Sequence, residues 1–139
     1  MRFAQRGHLY DLRTHRYLGA KQQVKTALTG GEPRMYGWLP YRVEGLVLTA
    51  AESTRPGGAV KYGVQLAADT TKFAKHVVKI EVFGPDKRKR EHYSGTVETR
   101  SGKATGRFRL ALNDEPGEWR VVATDTFSGR KAASTIAVA

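Results

Sequence analysis

The stretch NDEPGEWRVVATDTFSG, residues 113–129, decides the fold of this chain. It begins with Asn, Asp, Pro and Gly, the residues that best accept the backbone dihedrals of tight turns. Trp119, Val121 and Ala123 then occupy every second position, which is the period of a β-strand with one buried face. FSG closes the stretch with a second turn. The stretch therefore predicts a turn, a strand that carries a buried Trp near its start, and another turn.

The same alternation of apolar and polar residues recurs along the chain. It appears in 59–67, 76–84, 106–112 and 132–138, and 45–51 and a weaker segment at 93–99 complete the count, with Gly- or Pro-containing turns between the segments. The segment 69–76 is the one short helix candidate, and we interpret it as a loop or a single turn. Seven short antiparallel strands in this length predict an all-β, immunoglobulin-like β-sandwich, in which the apolar faces of two sheets pack together. In this interpretation Phe108, Leu110 and Leu112 share one buried face.

Residues 1–41 fall outside this strand count and form an N-terminal β-segment. Their pattern predicts a hairpin, Leu9–Leu12 and Tyr17–Leu18 around a turn at 14–15, followed by strands at Val24–Leu28 and Met35–Leu39. Pro40 interrupts strand pairing and marks a junction. We therefore divide the chain into this segment at 1–41, the tail of a preceding β-domain or a sheet docked on the sandwich, and the sandwich at 42–139.

The composition excludes several kinds of chemistry. The 139 residues include 24 Lys and Arg against 13 Asp and Glu, a formal net charge of +11, and no Cys. Disulfides, thiolate zinc sites and cysteine nucleophiles are therefore excluded. The charge admits nucleic acid, anionic polysaccharide or a membrane surface as partner, but the bases are dispersed, which favours a generally basic solvated surface. No apolar run approaches the roughly 18 residues of a membrane span, so we expect no membrane partner.

Three short motifs carry a family resemblance: Tyr-Asp-Leu-Arg at 10–13, Leu-Gly at 18–19 and the aromatic-rich 36–41. Together they resemble the closing strands of the β-sandwich that follows the catalytic barrel in β-galactosidase-type glycoside hydrolases. Chains of this kind continue into an immunoglobulin-like module whose last strands are similar to GEWRVVATDTFSGRKA. The barrel and its paired acids are missing. The resemblance therefore implies a C-terminal accessory region whose partner is a neighbouring catalytic domain. We expect an extracellular or periplasmic location, with any export signal outside this chain.

The sequence presents no catalytic constellation. The acids mostly occupy turns or outward strand positions, whereas glycoside hydrolysis needs two carboxyl groups facing each other across a cleft. Asp125 continues the inward phase of its strand, and we expect its carboxylate to cap the FSG turn. The four His residues lack metal-ligand spacing, and no nucleophile elbow or phosphate loop is present. We predict no catalytic residue, no metal and no cofactor.

Two surface features suggest binding. Four consecutive bases, Lys87, Arg88, Lys89 and Arg90, could bind phosphate or sulfate groups by charge. Only Tyr93 supplies a neighbouring aromatic, which argues against nucleic acid. The other feature is a possible sugar-stacking platform formed by Tyr36, Trp38 and Tyr41. The competing interpretation, which we favour, is that these rings bury the interface between the N-terminal segment and the sandwich.

We therefore expect a non-catalytic accessory module, a spacer or docking domain of a larger carbohydrate-active enzyme. Two alternatives remain open: a carbohydrate-binding module, and a basic protein that binds nucleic acid or acidic polysaccharide.

Overall fold

The computed structural model describes residues 2–23, 25, 31 and 33–139. These residues form an all-β structure with one short 3₁₀ helix, Glu91–Tyr93, and no α-helix; no helix among them could cross a membrane. The strands are β1 (Arg2–Asp11), β2 (Arg16–Gln23), β3 (Tyr36–Leu39), β4 (Val43–Ala50), β5 (Ser53–Thr54), β6 (Ala59–Ala68), β7 (Val77–Phe83), β8 (Gly95–Glu98), β9 (Lys103–Arg109), β10 (Gly117–Asp125) and β11 (Lys131–Val138).

The sandwich consists of a three-stranded sheet, β4-β6-β9, and a five-stranded sheet, β5-β11-β10-β7-β8. Neighbouring strands pair antiparallel, except that β5 runs parallel to β11. The predicted β-sandwich is confirmed. The seven predicted strands correspond to β4 and β6 to β11, and the helix candidate 69–76 is a loop. The short strand β5 was not predicted, because two residues carry no visible period.

The core lies between the two sheets and is built from the alternating apolar faces. Trp119 is 1% exposed, and its indole Nε1 donates a hydrogen bond of 2.9 Å to the carbonyl oxygen of Glu115. The predicted buried Trp at the start of β10 is therefore confirmed. Leu112 corrects the predicted face, since it is 86% exposed. The strand β9 ends at Arg109, and the chain then turns where the backbone N–H of Ala111 donates to the carboxylate of Asp114.

Strands β1 to β3 form a second three-stranded sheet in the order β2-β1-β3. The β1–β2 hairpin and the strand β3 were predicted. The predicted strand Val24–Leu28 lies outside the described residues except for Lys25. This sheet packs on the sandwich: the backbone N–H of Val43 donates to the Tyr10 hydroxyl at 2.9 Å, and the Tyr10 and Phe127 rings meet edge to face with centroids 5.2 Å apart. The two parts share one buried cluster, which joins Tyr10 and Leu39 to the sandwich core.

Candidate functional site

A chain of buried polar groups lies where the N-terminal sheet meets the sandwich. Its members are Tyr41, His76, Asp125 and Ser128, which we call the junction network. The Tyr41 hydroxyl lies 2.8 Å from His76 Nε2, and His76 Nδ1 lies 2.9 Å from Asp125 Oδ1. The Ser128 hydroxyl donates to Asp125 Oδ2, as does the Ser128 backbone N–H at 3.1 Å. The network connects the segment between β3 and β4 to the ends of β7 and β10.

Asp125 and His76 face the interior because each is in phase with the inward-facing residues of the strand that it ends or precedes. Asp125 ends β10 in the same phase as Trp119, Val121 and Ala123, while His76 precedes β7 in the phase of the inward-facing residues Val78, Ile80 and Val82. Thr99 holds the backbone of His76 from both sides: the His76 N–H donates to Thr99 Oγ1 at 2.9 Å, and the Thr99 N–H donates to the His76 carbonyl at 2.8 Å. The backbone that carries the imidazole is therefore held at two points, and the side-chain bonds to Tyr41 and Asp125 orient the ring.

The carboxylate of Asp125 also caps the turn that follows β10, as predicted. Besides Ser128, the backbone N–H of Phe127 donates to Asp125 Oδ1 at 3.4 Å, and the Gly129 N–H donates to the Asp125 carbonyl at 2.8 Å. Gly129 has a φ of 75°, a left-handed conformation that glycine adopts without steric cost. The turn predicted at FSG is therefore explained by the left-handed backbone conformation of Gly129.

The directions of hydrogen bonds in the network follow from which groups can only donate and which can only accept. The Tyr41 oxygen accepts a hydrogen bond of 2.9 Å from the Ala74 N–H, so its own proton is available for His76 Nε2. An ionised Asp125 carboxylate can only accept, so His76 Nδ1 carries a proton and donates it to Asp125. Burial by itself would raise the pKa of Asp125, but the hydrogen bonds from His76 and Ser128 outweigh it and lower the pKa. Burial raises the pKa of Tyr41, which keeps its hydroxyl protonated.

The order hydroxyl, imidazole, carboxylate is that of a nucleophilic triad with a phenol in place of the serine hydroxyl. Exposure decides what this arrangement can do. Tyr41 and His76 are each 2% exposed and Asp125 is fully buried, so a substrate atom has no approach to the Tyr41 oxygen in this conformation. A fully satisfied buried polar network of this kind rigidifies the elements that it joins. We therefore interpret it as a structural connection between the N-terminal sheet and the sandwich.

The aromatic platform is not assembled as proposed from the sequence. Tyr36 and Trp38 share the partly exposed face of β3, but Tyr41 lies in the core, where it bonds to His76 and packs edge to face on Phe73. Tyr41 is therefore unavailable for sugar stacking and takes the interface role that we favoured. The Trp38 ring lies against the backbone of β1, since a Cβ added at Gly7 would come within 2.1 Å of Trp38 Nε1.

The basic run 87–90 lies in the predicted connection after β7, and its second half is neutralised. Lys89 Nζ lies 3.2 Å from the carboxylate of Glu91 and 3.7 Å from that of Glu81, and Arg90 Nη1 lies 3.0 Å from that of Asp86. The Arg90 guanidinium also lies over the Trp119 ring, 5.5 Å from its centroid. Lys87 and Arg88 remain exposed at the loop tip. The four bases therefore do not present one anion-binding surface.

Sequence reasoning missed the partnership of His76 with Asp125. The two residues are 49 positions apart, and no motif spacing connects them. One signal was available, because His76 continues the inward alternation of β7. Among residues 2–23, 25, 31 and 33–139, no cluster of three His, Asp or Glu side chains could hold a metal ion.

No protein-family model matches this chain, and no curated protein is similar to it in sequence. Among solved structures, superoxide reductase (neelaredoxin) from Ignicoccus hospitalis is similar with a TM-score of 0.51 and 12% identity over 70% of this chain and 82% of that chain. At this identity the similarity is one of fold alone. A β-glucosidase from Listeria innocua gives a TM-score of 0.44 and 16% identity over 70% of this chain. A β-glucosidase from Erythrobacter marinus gives 0.44 and 17% over 71%. The chain spans 16% and 15% of the lengths of these two β-glucosidases.

Proposed function

We propose that this chain is a non-catalytic β-sandwich module that holds a neighbouring catalytic domain of a carbohydrate-active enzyme at a fixed distance and orientation. The observation that carries the proposal is the junction network. Three side chains with catalytic potential, Tyr41, His76 and Asp125, are buried. Tyr41 lies in the segment that joins the N-terminal sheet to the sandwich, and it bonds to His76, which in turn bonds to Asp125 at the end of β10. Their arrangement suits a stiff connection between two parts of a chain.

Rigidity is the property that a spacer requires. A spacer whose parts moved independently would let a neighbouring domain reorient. An N-terminal sheet and a sandwich that share one core move together. The shared buried cluster and the hydrogen bond from Val43 to the Tyr10 hydroxyl support this role. The motifs at 10–13, 18–19 and 36–41 support the link to glycoside hydrolases through the resemblance described above.

Two measurements on the purified chain test the proposal. Backbone ¹⁵N relaxation should give one rotational correlation time for amides of β1 and β10, and a panel of aryl glycosides should show no turnover above buffer. A shorter correlation time for β1, with Leu9 and Val121 as reporters, would refute the rigid spacer. Turnover of any glycoside by the chain itself would refute its non-catalytic character.

A carbohydrate-binding module is the second candidate, and it now depends on Tyr36 and Trp38 alone. Both rings are partly exposed on the same face of β3. Titration with neutral polysaccharides tests this role. Binding that Trp38→Ala abolishes and that added salt leaves unchanged would favour it over the spacer.

A further inference from the structure

The two outer faces of the sandwich differ in charge. The strands β4, β6 and β9 carry one acid, Glu44, and four bases, Lys61, Lys103, Arg107 and Arg109. The strands of the five-stranded sheet carry three exposed or partly exposed acids, Glu81, Glu98 and Glu118, and three such bases, Lys79, Arg120 and Lys131, and Lys79 Nζ lies 3.4 Å from the Glu81 carboxylate. The outer face of β4-β6-β9 therefore carries a net positive charge, whereas acids and bases balance on the outer face of the five-stranded sheet.

The strand register concentrates this charge. Lys61 of β6 and Arg107 of β9 are direct cross-strand partners, both exposed on the same face, and Arg109 follows two positions after Arg107. Partners in an antiparallel pair have Cα atoms about 4.5–5.5 Å apart, and like charges placed directly opposite destabilise a sheet. We call Lys61, Arg107 and Arg109 the cationic face.

Neutral partners leave the charge of the cationic face uncompensated. Arg109 Nη1 donates to the carbonyl oxygen of Gly57 at 2.9 Å, which satisfies one donor but supplies no negative charge. No ion pair to Lys61, Arg107 or Arg109 occurs among the described residues. Glu44 lies at the other end of the sheet, where it lines a depression together with Lys103. An external anion would relieve this repulsion, which is the feature that points to a ligand.

A shallow trough lies beside the cationic face. It has a volume of about 570 Å³, and Lys61 and Arg107 line it together with Thr49, Gly63 and Thr105. Gly63 leaves the floor without a side chain, and the hydroxyl groups of the two threonines stand on either side of it as cross-strand neighbours. Such a surface offers cations for acidic groups and hydroxyls for the hydroxyl groups of sugars.

We propose that the outer face of β4-β6-β9 binds an acidic polysaccharide. Lys61, Arg107 and Arg109 pair with its carboxylate or sulfate groups, and Thr49 and Thr105 form hydrogen bonds with its hydroxyl groups. Single-stranded nucleic acid fits this face less well, because binding of that ligand relies on exposed aromatic rings for base stacking. The aromatic residue that borders the trough, Tyr62, is half-buried and lies over Gly106. The proposal does not depend on the spacer role.

Affinity electrophoresis and titration calorimetry with the whole chain test this proposal. The probes are polygalacturonate for carboxylates, dextran sulfate for sulfates, neutral dextran, and a single-stranded DNA oligomer. The Lys61→Gln/Arg107→Gln variant should lose at least about tenfold in affinity for an acidic polysaccharide. The matched control Lys87→Gln/Arg88→Gln removes the same charge from the exposed loop tip and should lose less than about twofold. The charge-conserving Lys61→Arg/Arg107→Lys variant should retain binding.

Three results would overturn the proposal. Equal losses in the two neutralised variants would show that net charge alone attracts the polymer. Absence of binding to both acidic polysaccharides would show that the cationic face has no such ligand. Tighter binding of the DNA oligomer, lost in the Lys61→Gln/Arg107→Gln variant, would assign the face to nucleic acid instead. Unchanged circular dichroism in all variants establishes that each result concerns binding rather than folding.

Discussion

Replacing Asp125 with Asn removes the charge at the centre of the junction network while it preserves the size of the side chain. The carboxylate accepts hydrogen bonds from His76 Nδ1, from the N–H and hydroxyl of Ser128, and from the Phe127 N–H. An amide NH₂ in place of Oδ2 would face the two Ser128 donors, and in place of Oδ1 it would face His76 and Phe127. In either orientation a buried donor loses its acceptor.

The expected cost follows from these contacts. A buried donor without an acceptor costs about 1–3 kcal/mol, and a hydrogen bond to a charged group contributes about 1.5–3 kcal/mol. We therefore expect Asp125→Asn to lower the free energy of unfolding by about 2–4 kcal/mol. With a urea dependence of about 2 kcal/mol per molar, the unfolding midpoint at pH 7 falls by about 1–2 M.

Urea unfolding followed by circular dichroism measures this effect, and Asp69→Asn is the matched control. Asp69 is exposed, so the same chemical change there should alter the free energy of unfolding by less than about 0.5 kcal/mol. Equal effects of the two substitutions would refute the reasoning. So would an effect of Asp125→Asn below about 1 kcal/mol, because the network would then contribute no more than a surface contact.

The pH dependence of the same variant provides a second readout. The pKa of Asp125 is lower in the folded chain than in the unfolded chain, where it is about 3.9. Its contribution to stability is therefore complete above the unfolded pKa and is lost as the pH falls through the folded pKa. Asp125→Asn lacks this titration, so the stability gap between wild type and variant should narrow below about pH 4. A gap that stays constant or widens in acid would contradict the assignment of an ionised Asp125.

Two further predictions concern the core and the cationic face. Trp119→Ala should lower the free energy of unfolding by about 3–5 kcal/mol, because it removes a buried ring from the core. Leu112→Ala, at an exposed position, should change the free energy of unfolding by less than about 0.5 kcal/mol. Urea unfolding measures both, and equal losses would show that Trp119 is not part of the core. Lys61→Gln should raise the melting temperature at low ionic strength because it removes the repulsion from Arg107. The gain should disappear in 1 M salt, where charges are screened within about 3 Å, and a loss of stability at low salt would contradict the like-charge pair.

The sequence was sufficient to predict the sandwich because strand alternation is a local property. Trp119, Val121 and Ala123 reveal their buried face without knowledge of their neighbours in space. Leu112 shows the limit of this reasoning: it continues the phase of β9, but the strand ends before reaching it. Periodicity predicts which face is buried and predicts the strand end less well, because the end depends on the turn at Asp114.

The candidate sites were harder to predict because they depend on which strands become neighbours. The Lys61–Arg107 pair exists only through the register of β6 and β9, which the sequence does not display. The consecutive bases at 87–90 were more conspicuous, yet Glu81 and Glu91 compensate Lys89 through the fold. Charge that is contiguous in sequence is therefore partly compensated in the fold, whereas the charge that strand pairing brings together at Lys61 and Arg107 has no ion pair among the described residues.

We infer that the N-terminal sheet and the sandwich unfold as one unit, and the two Trp residues permit a direct test because each part contains one. Trp119→Phe leaves Trp38 to report on the N-terminal sheet, and Trp38→Phe leaves Trp119 to report on the sandwich. Urea unfolding of each variant is followed by fluorescence and by circular dichroism in the same samples. We predict that the fluorescence and circular-dichroism midpoints coincide within each variant. A Trp38 transition at lower urea than the circular-dichroism transition would contradict the account.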